Sequence, residues 1–121
     1  MPDAITNLKW SGPVLSWQAA GAPQHLKFQR DVENALVLRS EGIAVVLAGK
    51  NWDDRALILN ADGSMRAELK NPFQPEEGKV FYYFTYERER LIVVLASSGR
   101  GDFKYDVDEA TGALSKPQEA R

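Results

Sequence analysis

Two apolar hexapeptides, Ile43-Ala44-Val45-Val46-Leu47-Ala48 and Leu91-Ile92-Val93-Val94-Leu95-Ala96, match in character at an offset of 48 residues (43 to 91). Both are rich in β-branched residues, which suit a pleated strand. Each is followed by a polar loop, a second strand-like segment and a Gly-containing turn. In the first copy the loop is Gly49–Asp54, the strand Arg55–Asn60, and the turn ends at Gly63. In the second the loop is Ser97–Asp102, the strand Phe103–Asp108, and the turn ends at Gly112. A chain that carries this unit twice is organised as antiparallel meanders, with the two apolar segments as equivalent core strands.

The surrounding sequence extends the pattern. Short β-branched or aromatic segments fall at Leu26–Arg30, Ala35–Arg39, Met65–Lys70, Val80–Arg88 and Ala113–Lys116, with turn signals between them. Asn60-Ala61-Asp62-Gly63 suits a type I turn whose Gly takes the left-handed conformation, giving a bulged hairpin, and Asp108–Gly112 does the same one residue longer. Glu87-Arg88-Glu89-Arg90 has no Gly, yet it must reverse the chain between two apolar strands. The reading is all-β and single-domain. A first meander over 26–70 and a second over 80–116, joined by the proline-containing loop 71–79, pack as a sandwich or flattened barrel. Residues 1–25 read as irregular. A short helix over Asp31–Ser40 is the alternative to a strand there, since Asp31 could cap it and Val32, Ala35, Leu36 and Arg39 would share a face. The period of about 50 residues resembles a β-propeller blade, but two copies cannot close a ring of four or more.

Composition narrows the chemistry. The 121 residues contain no Cys and one His, His25, which removes disulfides, thiolate metal sites and cysteine nucleophiles. Fifteen Lys and Arg against 17 Asp and Glu, with a pI near 5.4, do not supply the basic excess of a nucleic-acid binder. Residues 1–30 carry Lys9, Lys27 and Arg30 against Asp3, so the surplus acid lies beyond residue 30, in the meanders and their loops. No apolar run approaches the ~20 residues of a spanning helix, and Met1–Thr6 lacks the basic and apolar stretches of a secretory signal. A cytoplasmic protein without a membrane partner is expected.

The chemical candidates are few. Asp53 and Asp54 beside Trp52 in the first loop, with Arg100 and Asp102 in the second and Asp106 and Asp108 beyond it, form a set that could present acidic loops to a basic protein. The run Asp106–Gly112 fails the calcium-loop spacing, because Thr111 and Pro117 stand where Gly and Glu are required. Ser97–Asp102 could receive an anion on its amides but lacks the Lys and the following helix of a phosphate loop. The aromatic run Phe81-Tyr82-Tyr83-Phe84-Thr85-Tyr86 reads as a central strand, with a base- or sugar-stacking platform as the rival. Glu87 and Glu89, interleaved with Arg88 and Arg90, read as cross-strand pairs.

No metal or other cofactor is called for, and the residues point to non-catalytic protein binding. A small, acidic, Cys-free chain with Trp and Asp in its loops resembles bacterial immunity proteins, and that resemblance implies a basic toxin domain as partner. Two other classes remain open: a small-ligand-binding β-barrel or carboxylate enzyme with a pocket at Tyr83, Tyr86 and Arg88, and a structural subunit whose aromatic strand pairs edge to edge in a homodimer.

Overall fold

Hydrogen-bonded ladders divide the described residues into three antiparallel sheets. The computed structural model describes residues 5–49, 54–74, 78–96 and 102–120, with the side chains of Asp102 and of 116–120 outside that description. The N-terminal sheet holds β1 (Ile5–Ser11), β2 (Val14–Ala19) and β3 (Ala22–Lys27) in that order. The central sheet holds β4 (Val32–Val37), β5 (Gly42–Leu47), β6 (Arg55–Asn60) and β7 (Met65–Glu68). The C-terminal sheet holds β8 (Val80–Glu87), β9 (Arg90–Ala96), β10 (Asp102–Val107) and β11 (Leu114–Ala120). Every strand bonds only to its sequence neighbours, and no barrel closes. There is no helix among the described residues, hence none long and apolar enough to cross a membrane.

The central sheet is buried on both faces, which explains its apolar runs. Ile43, Val45 and Leu47 of β5, with Leu57 and Leu59 of β6, meet Leu15, Trp17 and Ala19 of the N-terminal sheet. Ala44, Val46, Ala56 and Ile58 point the other way and meet Phe81, Phe84, Leu91, Val93, Leu95 and Tyr105 of the C-terminal sheet. The odd-numbered residues of β5 thus face the preceding sheet and the even-numbered ones the following sheet. In β9 the odd residues Leu91, Val93 and Leu95 again face the preceding sheet. Its even residues, Ile92 and Val94, lie on the outer face of the stack.

Ile92 and Val94 are nonetheless buried. Val94 sits between Tyr83 and Lys104 in the sheet, and Ile92 between Thr85 and Asp106. Lys104 reaches from the Val94 row to Glu87 (2.9 Å), and Arg90 reaches Asp106 (2.9 Å), so two ion pairs lie diagonally over these rows. The aliphatic stems of the cations account for the burial of the strand beneath them.

The all-β, single-domain expectation holds, whereas two details of it do not. Residues 1–25 read as irregular, yet from Ile5 they build a third sheet, and the predicted Leu26–Arg30 strand is the end of β3, with Leu26 paired to Leu15 rather than to the central meander. Its hairpins turn at Gly12 (φ 57°) and at Ala20-Gly21 (φ 50° and 81°). The helix alternative at Asp31–Ser40 is overruled by β4, whose ladder with β5 carries a bulge at Glu33. Burial of Val32 against the N-terminal sheet, with partial burial of Leu36 against the C-terminal sheet, favours the extended chain.

The predicted turns are as expected. Gly63 and Gly112 are left-handed (φ 90° and 76°), closing bonds from Gly63 N–H to Asn60 C=O (2.9 Å) and from Gly112 N–H to Asp108 C=O (2.7 Å). Arg88 and Glu89 turn the β8–β9 hairpin with positive φ (48° and 67°), as the tightest hairpin turns require.

Some sheet edges are blunted. Two of the six edge strands, β3 and β11, each contain a proline, Pro23 and Pro117, which has no N–H to offer an incoming strand. Where β4 and β8 face each other, Asn34 Oδ1 accepts the Phe84 N–H (2.9 Å).

Candidate functional site

The stack has two unlike ends. At one, the β4–β5, β6–β7, β8–β9 and β10–β11 turns come together, as shown by the Arg39 N–H donating to Tyr86 Oη (2.9 Å) and Ser40 Oγ donating to Glu109 Oε1 (2.6 Å). The longer β5–β6, β7–β8 and β9–β10 connections leave from the other end.

The sequence-predicted partner residues divide between these regions. Trp52, Asp53 and Arg100 lie outside the described residues, as does the side chain of Asp102, whose backbone opens β10 at the loop end. Asp54 Oδ1 accepts the Gly49 N–H (2.7 Å) and ties the neck of the β5–β6 loop. Asp106 sits on the outer face of the C-terminal sheet with Arg90. Asp108 is at the tight-turn end, where its Oδ1 accepts the N–H groups of Ala110 (2.8 Å) and Thr111 (3.2 Å) and shapes its own turn. Glu87 and Arg90 are cross-strand pairs as expected, with Lys104 and Asp106 as their partners, and Glu89 lies 3.6 Å from Arg39.

The loop end holds one residue that sequence reasoning missed. Glu33, the exposed, bulged residue of β4, has its carboxyl held above the usual value of 4.5 by slight desolvation first and by the negative charge of Asp54 second. Two like charges are thus held near each other beside the loop that carries Trp52 and Asp53. Its signal was non-local, because only the bulge and the β5–β6 loop bring position 33 to position 54. A raised folded-state pKa means the ionised form is disfavoured in the folded protein, so the penalty applies above that pKa and fades as pH falls through it. Glu33→Gln should therefore raise the thermal midpoint at neutral pH and leave it unchanged below pH 4.5, measured by thermal denaturation across that range. An equal effect at both pH values would show that ionisation of Glu33 is not its origin.

A second feature is the aromatic step on β8. The ladder slips at Tyr82, so Phe81 and Phe84 turn inward (2% and 3% exposed) while Tyr82 and Tyr83 both stand outward (54% and 39%). Their rings meet edge to face, with centroids 5.2 Å apart and planes at 66°, and so do not form a flat stacking platform. Exposed, paired tyrosines are a common interface anchor.

The remaining polar groups are engaged structurally. Tyr86 Oη donates to Glu109 Oε2 (2.7 Å), and Arg66 donates to Ser40 Oγ (2.8 Å), to Asn60 Oδ1 (2.7 Å) and, across to the C-terminal sheet, to the Glu109 carbonyl (3.4 Å). Burial, then the bond to Glu109 and its charge, push the Tyr86 phenol up to about 12, so it remains a donor. Tyr83 points outward and Tyr86 inward, so the two do not share a pocket with Arg88. An open depression of about 520 Å³ on the N-terminal sheet is lined by polar residues such as Lys9, Gln18 and His25 together with the apolar Leu8, Trp17 and Pro23. Among the described residues no three His, Asp or Glu side chains are grouped to hold a metal ion.

No known family matches the sequence, and no curated protein matches it. The fold has solved relatives. A chain in a structure of Tne2 in complex with Tni2 superposes with a TM-score of 0.70 at 12% identity, covering 89% of this chain and 77% of that one. A protein of unknown function from Bacteroides caccae gives 0.51 at 12% identity, covering 99% of this chain but 46% of the other. This chain therefore spans less than half the length of the second relative. The class defined is an all-β stack of three meander sheets. A similar fold occurs in a structure where two different proteins are bound to each other.

Proposed function

We propose that the chain is a non-catalytic protein-binding domain of the immunity type, which neutralises a basic toxin domain in the cytoplasm through the loop end of the stack. The observation that carries this reading is the fold shared with a chain of a two-protein complex, and Glu33 at the same end of the stack as the acidic β5–β6 segment fits a cationic partner. Like charges held near each other lower the affinity of the free surface for itself and raise it for a cationic partner. The fold likeness to a chain of a two-protein complex supports a protein ligand. The structural roles of Asp106, Asp108, Glu87 and Glu109 leave them poorly placed as general acids or bases, which supports binding over catalysis.

The test is binding to a basic toxin domain encoded beside this gene, measured by calorimetry over a range of salt. Wild type should bind with affinity that falls as salt rises. Reversing both charges, Glu33→Lys with Asp54→Lys, should weaken binding by at least about tenfold and flatten the salt dependence. Unchanged affinity and salt slope in that variant would sink the loop-end assignment. Absence of any such partner, or of protection in cells, would sink the immunity reading itself.

A further inference from the structure

We propose that the depression on the N-terminal sheet binds a small phosphate monoester, with the phosphate seated on the row Lys9–Ser16–His25. Charge along the chain is the first support. Residues 4–30 contain no Asp or Glu, although the whole chain has 17, so the strands of this sheet carry Lys9, Lys27 and His25 with no carboxylate among them. In the other two sheets strand cations meet carboxylates: Arg55 bonds Glu68, Arg90 bonds Asp106 and Lys104 bonds Glu87. The side chains of Lys9 and His25 have neither an ion pair nor a hydrogen bond among the described residues.

Register brings the two together. Ser16 pairs with Lys9 on one side and with His25 on the other, so the three form one row across the sheet. Leu15 and Trp17 face the central sheet, so the row between them stands on the opposite face. All three of its residues line the depression. Neighbouring strands lie about 5 Å apart, so Lys9 and His25 flank a space over Ser16 that one anion can bridge. Gln18, the next residue of β2 on that face, accepts the Asn7 amide through Oε1 (3.1 Å) and keeps its own N–H groups to donate. The lining is thus rich in donors and contains no acid. Phosphate suits it better than carboxylate, because three terminal oxygens point in three directions and can accept from Lys9, Ser16 and His25 together. A volume of about 520 Å³ is that of a small-molecule site rather than of a bare ion, and leaves Gln18 and Gln24 for hydroxyl groups of the ester. One Lys and one His are too few to track the backbone of a nucleic acid.

The experiment is calorimetric titration of the whole protein with glycerol phosphate, inorganic phosphate, acetate and glycerol. Glycerol phosphate should bind, inorganic phosphate should bind at least about threefold more weakly, and acetate and glycerol should give no heat of binding. Lys9→Ala and His25→Ala should each weaken glycerol phosphate binding at least about tenfold, as loss of a charge-assisted hydrogen bond does. Both side chains are exposed, so the thermal midpoint of the unliganded protein should not move. Lys27→Ala, on the same sheet but outside the depression, should change the affinity by less than about twofold. An equal loss with Lys27→Ala would reveal diffuse attraction in place of a site and overturn the proposal. So would the absence of glycerol phosphate binding, or acetate binding as tightly as phosphate. Neither Glu33 nor Asp54 takes part, so the result stands or falls apart from the immunity reading.

Discussion

Gly42→Ala is expected to cost about 3 kcal/mol of folding stability, a large share of the roughly 5–15 kcal/mol typical of a domain. The cause is space rather than backbone freedom. A Cβ at Gly42 would stand 2.6 Å from the Leu59 carbonyl oxygen and 2.9 Å from the Arg66 guanidinium. The first is backbone of the paired strand β6, so β5 and β6 must separate to admit a methyl group. That separation also loosens Arg66, which bonds Ser40, Asn60 and the Glu41 carbonyl and reaches the Glu109 carbonyl of the C-terminal sheet. Urea denaturation followed by circular dichroism should show a sharply lower midpoint. Gly21→Ala is the control: it alters a glycine in the β2–β3 turn whose Cβ would meet nothing within 4 Å. Its cost should be about 1 kcal/mol, set by its positive φ alone. Equal losses in the two variants would refute the steric account.

Trp17→Ala should be comparably severe, at about 3–5 kcal/mol, because it empties the largest side chain between the N-terminal and central sheets. Trp17 is 2% exposed, and its indole N–H donates to the Ala61 carbonyl (2.8 Å) across 44 residues of sequence. The ring also fills the space beside Gly63, whose Cβ position lies 3.5 Å from it. Trp17→Phe separates the contributions, since it keeps most of the packing and removes the donor. Its cost should be about 1–2 kcal/mol, the penalty of an unpaired carbonyl with a small loss of area. If Trp17→Ala unfolded no more readily than Trp17→Phe, the indole body would not be holding the two sheets together.

The strands most readily read from sequence were those with unmistakable local signals. β5 and β9 announce themselves by β-branched runs, β6 by an apolar run and β10 by alternating apolar and charged residues, and the turns at Gly63 and Gly112 by an Asp ahead of the Gly. The N-terminal sheet was missed because its hairpins turn through Gly12-Pro13 and Ala20-Gly21, and its inward residues Leu15, Trp17 and Ala19 are spaced by Ser16 and Gln18 in a segment full of small residues. Once Leu15 and Trp17 are seen against Ile43 and Leu57, the period of two is plain. Bulges were illegible for a different reason. Nothing local in Phe81-Tyr82-Tyr83-Phe84 says that one residue is extra, and only pairing with β9 puts both tyrosines outside. The candidate site shared this fate: Asp54 is visible as a loop acid, whereas its relation to Glu33 depends on a bulge in a strand that could also be read as a helix.

The strand order has a consequence for how the chain reaches its structure. All hydrogen-bonded ladders join consecutive strands, so each sheet can close through short loops before the sheets meet. Short loops make early closure cheap in chain entropy, and local pairing of this kind favours rapid folding compared with β-sandwiches whose strands cross between sheets. The three sheets can then form in order as the chain emerges during synthesis. The central sheet, apolar on both faces, is the one whose exposure during that interval carries the greatest hazard of aggregation.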